Sequence, residues 1–486
     1  MVALGKKGEN SMILNTYQPE AVFKHFEAIS QIPRGSGNEK AVSDFIAEFA
    51  RKLSCEVVQD SLYNLIIKKP ASPGYEGKEP VILQAHLDMV CEKNTDTVHD
   101  FLRDPIKLYV DGDFVKARGT TLGADNGLGV ALCMALLQSG TNHPPLEILL
   151  TTDEEAGMGG AENLDVSTLK GRRMINLDSS EDDQFTMGCA AGITIGYDLP
   201  VKWEAPPAGM NSTCKISVKG LRGGHSGQDI TKERGNSLKI LGQILSMLGD
   251  DVRIVEVSGG MKVNAIPREA QAIVLIDDES KIQNAIDNAN LHAQFRVSDP
   301  ELRVEFVVDG AVDKVMTLEC SRNVISSLLL IPCGVLVRSV EIEGLPNSSC
   351  NLGVVETTDS HVKILAMGRG SAEFYNEQVK AKAVALAKYI GAEISYSQRS
   401  AAWPYDPASK LLKTAIEAYT PVFNREPMVT AIHAGLECGL FTEKIPGLDI
   451  ISMGPTVHDL HTPDERMSIS STILFWEFLK ALLKAL

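Results

Sequence analysis

Apolar positions recur at two different spacings along the chain, and the change between them divides it. From Glu20 to Ile32 they fall three and four apart (Val22, Phe23, Phe26, Ile29), which predicts an amphipathic helix, and Pro33-Arg34-Gly35-Ser36-Gly37 breaks it. Glu39 to Leu53 repeats the spacing, with Val42, Phe45, Ile46, Phe49 and Leu53 on one stripe. Pro80 to Leu83, Leu146 to Leu150 and Arg173 to Leu177 are instead short and apolar throughout, with a small-residue helix, Gly127 to Leu137, between the first two. Strands apolar on both faces and separated by helices predict an α/β domain with a mostly parallel central sheet.

Near Gly188 the pattern changes to alternation. Strands are predicted at Lys215 to Val218, Gln271 to Ile276 and Arg303 to Val308, with helices at Asn236 to Leu248 and Lys281 to Phe295. A second set comes after them: a helix at Asn323 to Leu330, strands at Val335 to Ile342 and His361 to Met367, the helix Asn376 to Ile390, and a strand at Glu393 to Gln398. Two consecutive groups of this kind predict an α+β insert of two similar, ferredoxin-like halves. Helical signals return after Trp403-Pro404 and end in Ser471 to Leu486. The expected division is therefore a first domain in two parts, 1–187 and 403–486, interrupted by an insert at 188–402.

Composition narrows the class. The chain has 486 residues, 44% hydrophobic and 23% charged, which excludes fibrous and wholly disordered proteins. Its net charge of −16 comes with no basic run longer than the dipeptides Lys6-Lys7 and Lys68-Lys69, so nucleic acid is excluded as a partner. The best candidate for a span, Val324 to Val337, is interrupted by Ser326, Ser327 and Pro332 and falls short of the roughly 20 residues that span a bilayer, so no membrane association is expected. Met1 to Asn10 has two lysines but no apolar core behind them, so no signal peptide is expected. Nine cysteines without a CxxC pair predict reduced thiols and a cytoplasmic setting.

Functional groups in an open parallel sheet collect at the carboxyl ends of its strands. Here the first apolar run leads to His86-Leu87-Asp88, the second to Asp153-Glu154-Glu155, and the third to Asp178. Residues two apart on an extended chain share a face, so one imidazole could ligate a metal while Asp88 fixes its tautomer. Between these segments, Gly119-Thr120-Thr121-Leu122-Gly123-Ala124-Asp125-Asn126-Gly127 sets a carboxylate in a Gly-rich turn, and far downstream stands His458-Asp459-Leu460-His461. Taken alone, Asp125 reads as a helix N-cap, the acid triplet as a capped helix start, and Asp178 as a turn residue. Together they form a nitrogen and oxygen donor set that suits zinc, manganese or cobalt better than calcium. The absence of cysteine from it argues against a closed structural zinc site.

These segments, with Asn176-Leu177-Asp178-Ser179-Ser180-Glu181, Gly223-Gly224-His225-Ser226-Gly227, Asn264-Ala265-Ile266-Pro267 and the late HAGLECG and HDLHTPDE stretches, resemble the co-catalytic zinc peptidases. That family includes cytosolic dipeptidases, an amino-tripeptidase, aminoacylases and a glutamate-releasing carboxypeptidase, and the likeness runs along nearly the whole chain. It implies a catalytic domain interrupted by a lid, and two zinc ions, with cobalt or manganese able to substitute. One ion would be held by His86 and Asp178, the other by Glu155 and His461, with Asp125 bridging and a cis peptide after it. Asp88 would stand behind His86, Glu154 would act as general base on a metal-bridging water, and His225 would meet the scissile carbonyl oxygen. Arg369 and Asn264 would bind the substrate's terminal carboxylate. His458 is read as a non-ligand, and His433 and Glu437 as residues near the site. The resemblance further implies hydrolysis of unblocked L-dipeptides of broad sequence, Xaa-His included, by a homodimer paired through the lid. An N-acyl amino-acid deacylase or carboxypeptidase on the same metals is the enzymatic alternative, and a non-catalytic binding protein on the same fold is the other.

Overall fold

The computed structural model describes residues 13–208, 210, 212–398 and 400–486, so the amino-terminal stretch Met1 to Asn10 lies outside the described residues. The chain forms two compact units: 1–187, 405–430 and 440–486 in the first, and 188–404 with 431–439 in the second.

The first unit is built on an eight-stranded sheet in the order Glu56–Gln59, Leu65–Lys69, Leu146–Thr151, Val81–His86, Arg173–Asn176, Asp449–Ser452, Gln184–Cys189 and Met428–Ile432. The four strands from Leu146–Thr151 to Asp449–Ser452 are parallel, and antiparallel partners flank them on both sides. Every residue of Val81–His86 and Leu146–Thr151 is buried, so both faces of the sheet are covered there, as uninterrupted apolar strands require. One cover is Ala124–Gln138, whose apolar residues run around its whole circumference and which is buried almost throughout. Elsewhere Phe185, Tyr419, Phe423 and Phe478 stack and meet edge to face, joining Lys410–Phe423 to the closing helix Ile469–Ala485. A separate four-stranded sheet orders Val457–His458, Arg466–Ser468, Phe114–Ala117 and Leu108–Asp111, and the hairpin of its first two strands carries the loop with His461.

The second unit holds one continuous antiparallel sheet made of two βαββαβ halves. One half runs Ser212–Lys219, Ser237–Met247, Arg253–Gly259, Ala270–Ile276, Glu279–Ala289 and Arg303–Asp309. The other runs Ala191–Pro200, Leu318–Leu330, Pro346–Thr357, His361–Gly370, Glu373–Ile390 and Glu393–Gln398. Within the sheet the halves join edge to edge, Ser258 opposite Glu356 and Gly259 opposite Val355. They are nested and not consecutive as the sequence pattern suggests: the first half lies wholly between the opening strand and first helix of the second.

A boundary also moves. Ala431–Gly439 belongs to the second unit, although a division at 402 assigns it to the first domain. The reason is local: Ala190 N–H donates to the Ala434 carbonyl at 3.1 Å, and the Ser349 hydroxyl pairs with His433 Nε2 at 2.7 Å.

Candidate metal centre

The parallel register places the ends of three strands side by side, with His86 opposite Thr151 and Gln84 opposite Asn176. The loops that leave these strand ends therefore converge. His86 is buried, and its Nε2 lies 3.0 Å from Asp125 Oδ1 and 3.2 Å from Asp178 Oδ1. Its other nitrogen, Nδ1, faces Asp88 Oδ1 at 3.4 Å. Asp88 points away from the shared space. Its carboxylate accepts the Ser36 hydroxyl at 2.8 Å and the N–H groups of Glu154 and Glu155, both at 3.1 Å. One acid thus orients the imidazole and fixes the backbone that presents the next two acids.

His461 completes the arrangement from the other side. Its Nε2 lies 3.2 Å from Asp125 Oδ2 and 3.1 Å from Glu155 Oε1. The two oxygens of Asp125 therefore face two different imidazoles. Three overlapping groups have donor atoms within 4.8 Å of one another: His86 with Asp125 and Asp178, Asp125 with Glu155 and His461, and His86 with Glu154 and Glu155. His458 belongs to none of them; its ring lies against Phe114.

The charges are mutually perturbed. Hydrogen bonds to Asp125 and Glu155 push the His461 imidazole up to about 10. Despite burial, Asp178 and Asp125 raise His86 as well. Burial pushes Asp178 up to about 6, with Asp125 adding to the effect, whereas Asp88 is held at about 2 against its burial by His86 and Ser36.

The donor set fits divalent metal. Each Nε2 meets two carboxylate oxygens, more than a single N–H serves well, and the nitrogen-to-oxygen separations of 3.0–3.2 Å come close to the about 3.4 Å spanned by ligands around a tetrahedral ion. Imidazole and carboxylate without thiolate is a donor chemistry that serves divalent first-row metals.

Local structure explains why Asp125 is available. The helix Ala124–Gln138 has Gly123 at its start, at φ +71°, and no side-chain cap, so Asp125 does not serve as the N-cap that its position suggests. The Asp125-Asn126 peptide is cis. The Asn126 amide donates to the Leu177 carbonyl at 2.9 Å and to the Asp178 carboxylate, tying this turn to the third strand end. Sequence reasoning missed Asn126 and Ser36, and two buried charges bordering the turn, Arg34 and Glu465. Glu465 stands in the HDLHTPDE stretch and Arg34 in the break after the first helix, so proximity to marked segments was the available signal.

The second unit gathers other expected residues. Gly224–His225 pairs with Ala265–Ile266, His225 opposite Ala265, and the Asn264 carbonyl accepts the Ser226 N–H at 2.9 Å. His225 Nδ1 accepts the N–H of Gln228 at 3.2 Å. Burial and Arg369 lower this imidazole's pKa. Buried Arg369 sets Nη2 3.4 Å from His225 Nε2 and 3.4 Å from the Ser226 hydroxyl. His433 is buried nearby, pushed down to about 3 by burial and by Arg369. A side chain at Gly227 would collide with the His433 carbonyl, so only glycine lets the His225 loop close there. Glu437, also buried, opens the helix Glu437–Lys444.

Residues 82–485 match the pattern of peptidase family M20/M25/M40. The cytosol non-specific dipeptidase of Escherichia coli (strain K12) is 39% identical over 478 residues, covering 97% of this chain and 98% of that one. The crystal structure of the aminoacylhistidine dipeptidase from Vibrio alginolyticus matches with a TM-score of 0.90 at 38% identity, over 97% of this chain and 98% of that chain. Aminopeptidase PepT from Bacillus cereus shares the fold at 14% identity, with a TM-score of 0.56 over 96% of this chain and 99% of its own. Fold, strand-end donors and similarity over nearly the full length agree: the chain belongs to peptidase family M20/M25/M40.

Proposed function

We propose that this protein is a metal-dependent dipeptidase that hydrolyses unblocked L-dipeptides of broad sequence, Xaa-His among them. The observation that carries the reading is the shared carboxylate of Asp125 between two His-containing donor groups, in a chain 39% identical to a non-specific dipeptidase. His86 and Asp178 would hold one divalent ion, Glu155 and His461 the other, and Asp125 both. Bound there, two zinc ions, or cobalt or manganese in their place, supply positive charge that polarises a carbonyl and acidifies water.

The chain's own residues do the rest. Glu154 takes the proton of the attacking water and delivers it to the leaving amine. Asp88 keeps His86 in the tautomer that presents Nε2. His225 is assigned to the scissile carbonyl oxygen, where a hydrogen-bond donor would meet the negative charge that develops. Arg369 and Asn264 are assigned to the substrate's terminal carboxylate, for which a guanidinium offers a two-pronged clamp. Recognition through the two charged ends would select length and leave side chains weakly chosen.

Two further assignments rest on the family resemblance: the second unit as a lid, and pairing of two copies through it. Among the described residues no helix is long and apolar enough to cross a membrane, and the name of the Escherichia coli relative supports a cytoplasmic location.

Ala-His and N-acetyl-Ala-His, each offered to zinc-replete and chelator-treated protein, test the reaction. Only the free dipeptide should be cleaved, and only with metal. Cleavage of the acetylated compound would move the activity to a deacylase or carboxypeptidase, and cleavage of neither would favour a binding protein. Arg369→Met should raise KM for Ala-His about 10- to 100-fold with a smaller change in kcat, from the loss of a charge-assisted hydrogen-bond pair. An unchanged KM removes Arg369 from the substrate.

A further inference from the structure

Asp125 can serve two donor groups only if its turn is held at one depth between them, and the bonds that hold it come from outside its own helix. On the amide side stands Glu465, 2% exposed. Its Oε2 accepts the N–H groups of Leu122 at 2.7 Å and Gly123 at 2.9 Å, and its Oε1 those of Ala124 at 2.7 Å and Asp125 at 3.3 Å. Four consecutive backbone donors thus converge on one carboxylate.

On the carbonyl side stands Arg34, also 2% exposed. Its Nη1 donates to the carbonyls of Leu87 at 2.8 Å and Asp88 at 3.0 Å, and its Nη2 donates to the carbonyl of Gly123. Arg34 therefore ties the turn of Asp125 to the strand end that carries His86. A Cβ at residue 123 would lie 2.6 Å from Nη2, so glycine leaves the room that the guanidinium occupies. Glu465 also stands four residues after His461 on the same hairpin loop, so one loop bears a candidate ligand and a brace for another.

Neither side chain belongs to any of the three donor groups. Two buried, opposite, hydrogen-bonded charges around a single turn are a costly device for stability alone. The geometry points to Glu465 and Arg34 as positioning residues that set the depth of the shared Asp125 carboxylate, so that both metal positions depend on them together. This inference rests on the reading of the strand-end donors as a two-metal site.

The test titrates metal-free full-length protein with zinc against a competing chelator and records the visible spectrum of the cobalt form. Glu465→Gln keeps the shape but leaves one oxygen for four donors and turns an NH2 group towards N–H groups. Both metal affinities should fall together, by about 10- to 100-fold, the range seen when a group that orients a metal ligand is removed. The cobalt spectrum should change with them.

A folded Glu465→Gln protein that binds two ions with unaltered affinity overturns the inference, as does weakening of one position alone. If Glu465→Gln does not fold, Arg34→Lys decides by the same titration. It keeps the charge but cannot reach three carbonyls at once, so unaltered affinity at both positions would overturn the inference equally. The parent protein separates the two levels: failure to bind two ions there overturns the metal reading itself, whereas two ions in the parent and unaltered binding in the variants overturn only the bracing.

Discussion

Glu154→Gln is expected to lower the turnover of Ala-His by about 10²- to 10⁴-fold, the usual contribution of a positioned general base, while two metal ions remain bound. The substitution conserves shape, and the backbone that presents residue 154 is anchored by a different side chain. Asp88 accepts the N–H groups of both Glu154 and Glu155, so this backbone keeps an anchor that the substitution leaves in place. What disappears is the capacity to accept a proton. Parallel measurement of kcat and bound metal is decisive, because Glu154 also falls within one of the three donor groups, with His86 and Glu155. Lost turnover at full metal content identifies a base. Lost metal would make Glu154 a ligand, and retained turnover would remove it from the reaction.

How far the sequence discloses this arrangement depends on whether a signal is local. The three strands with their trailing acids are visible because burial on both faces forces continuous apolar runs, and the residues after them stand out by contrast. Asp125 is ambiguous in isolation, since a carboxylate before a helix is ordinarily a cap. Only the positions of His86 and His461 show that it faces elsewhere. Arg34 and Glu465 are harder still, because both act on backbone atoms, and Glu465 does so more than 300 residues away in sequence.

The second unit hides its order for another reason. Pro346–Thr357 is a central strand, yet its sequence, PNSSCNLGVVET, reads as a loop. Two polar side chains on its buried stretch find partners: Ser349 pairs with His433, and the Asn351 amide donates to the carbonyls of Val263 and Ala265. Apolar periodicity cannot report a strand whose interior face is hydrogen-bonded. With that strand and Ala191–Pro200 unseen, the two halves look consecutive when they are nested.

Asp125→Asn and His461→Ala should differ in the number of ions lost, and that difference tests the shared carboxylate directly. His461 belongs to one donor group, on the Oδ2 side of Asp125, and its side chain is half exposed. Its removal should weaken one position, leaving close to one equivalent of tightly bound zinc. Asp125 belongs to two groups, each served by a different oxygen. An asparagine keeps one carbonyl oxygen, replaces the other with an NH2 donor and removes the negative charge. Both positions should therefore weaken, by more than the roughly 10- to 100-fold that attends loss of a merely orienting group. Zinc titration of the metal-free proteins counts the equivalents. Loss of a single equivalent in Asp125→Asn would mean that the two groups do not share this residue, and the site would then hold one ion on His86 and Asp178 or on Glu155 and His461. Loss of both in Asp125→Asn beside loss of one in His461→Ala is the pattern that a bridging carboxylate requires, because each position loses a ligand oxygen with Asp125 and only one position loses a ligand with His461.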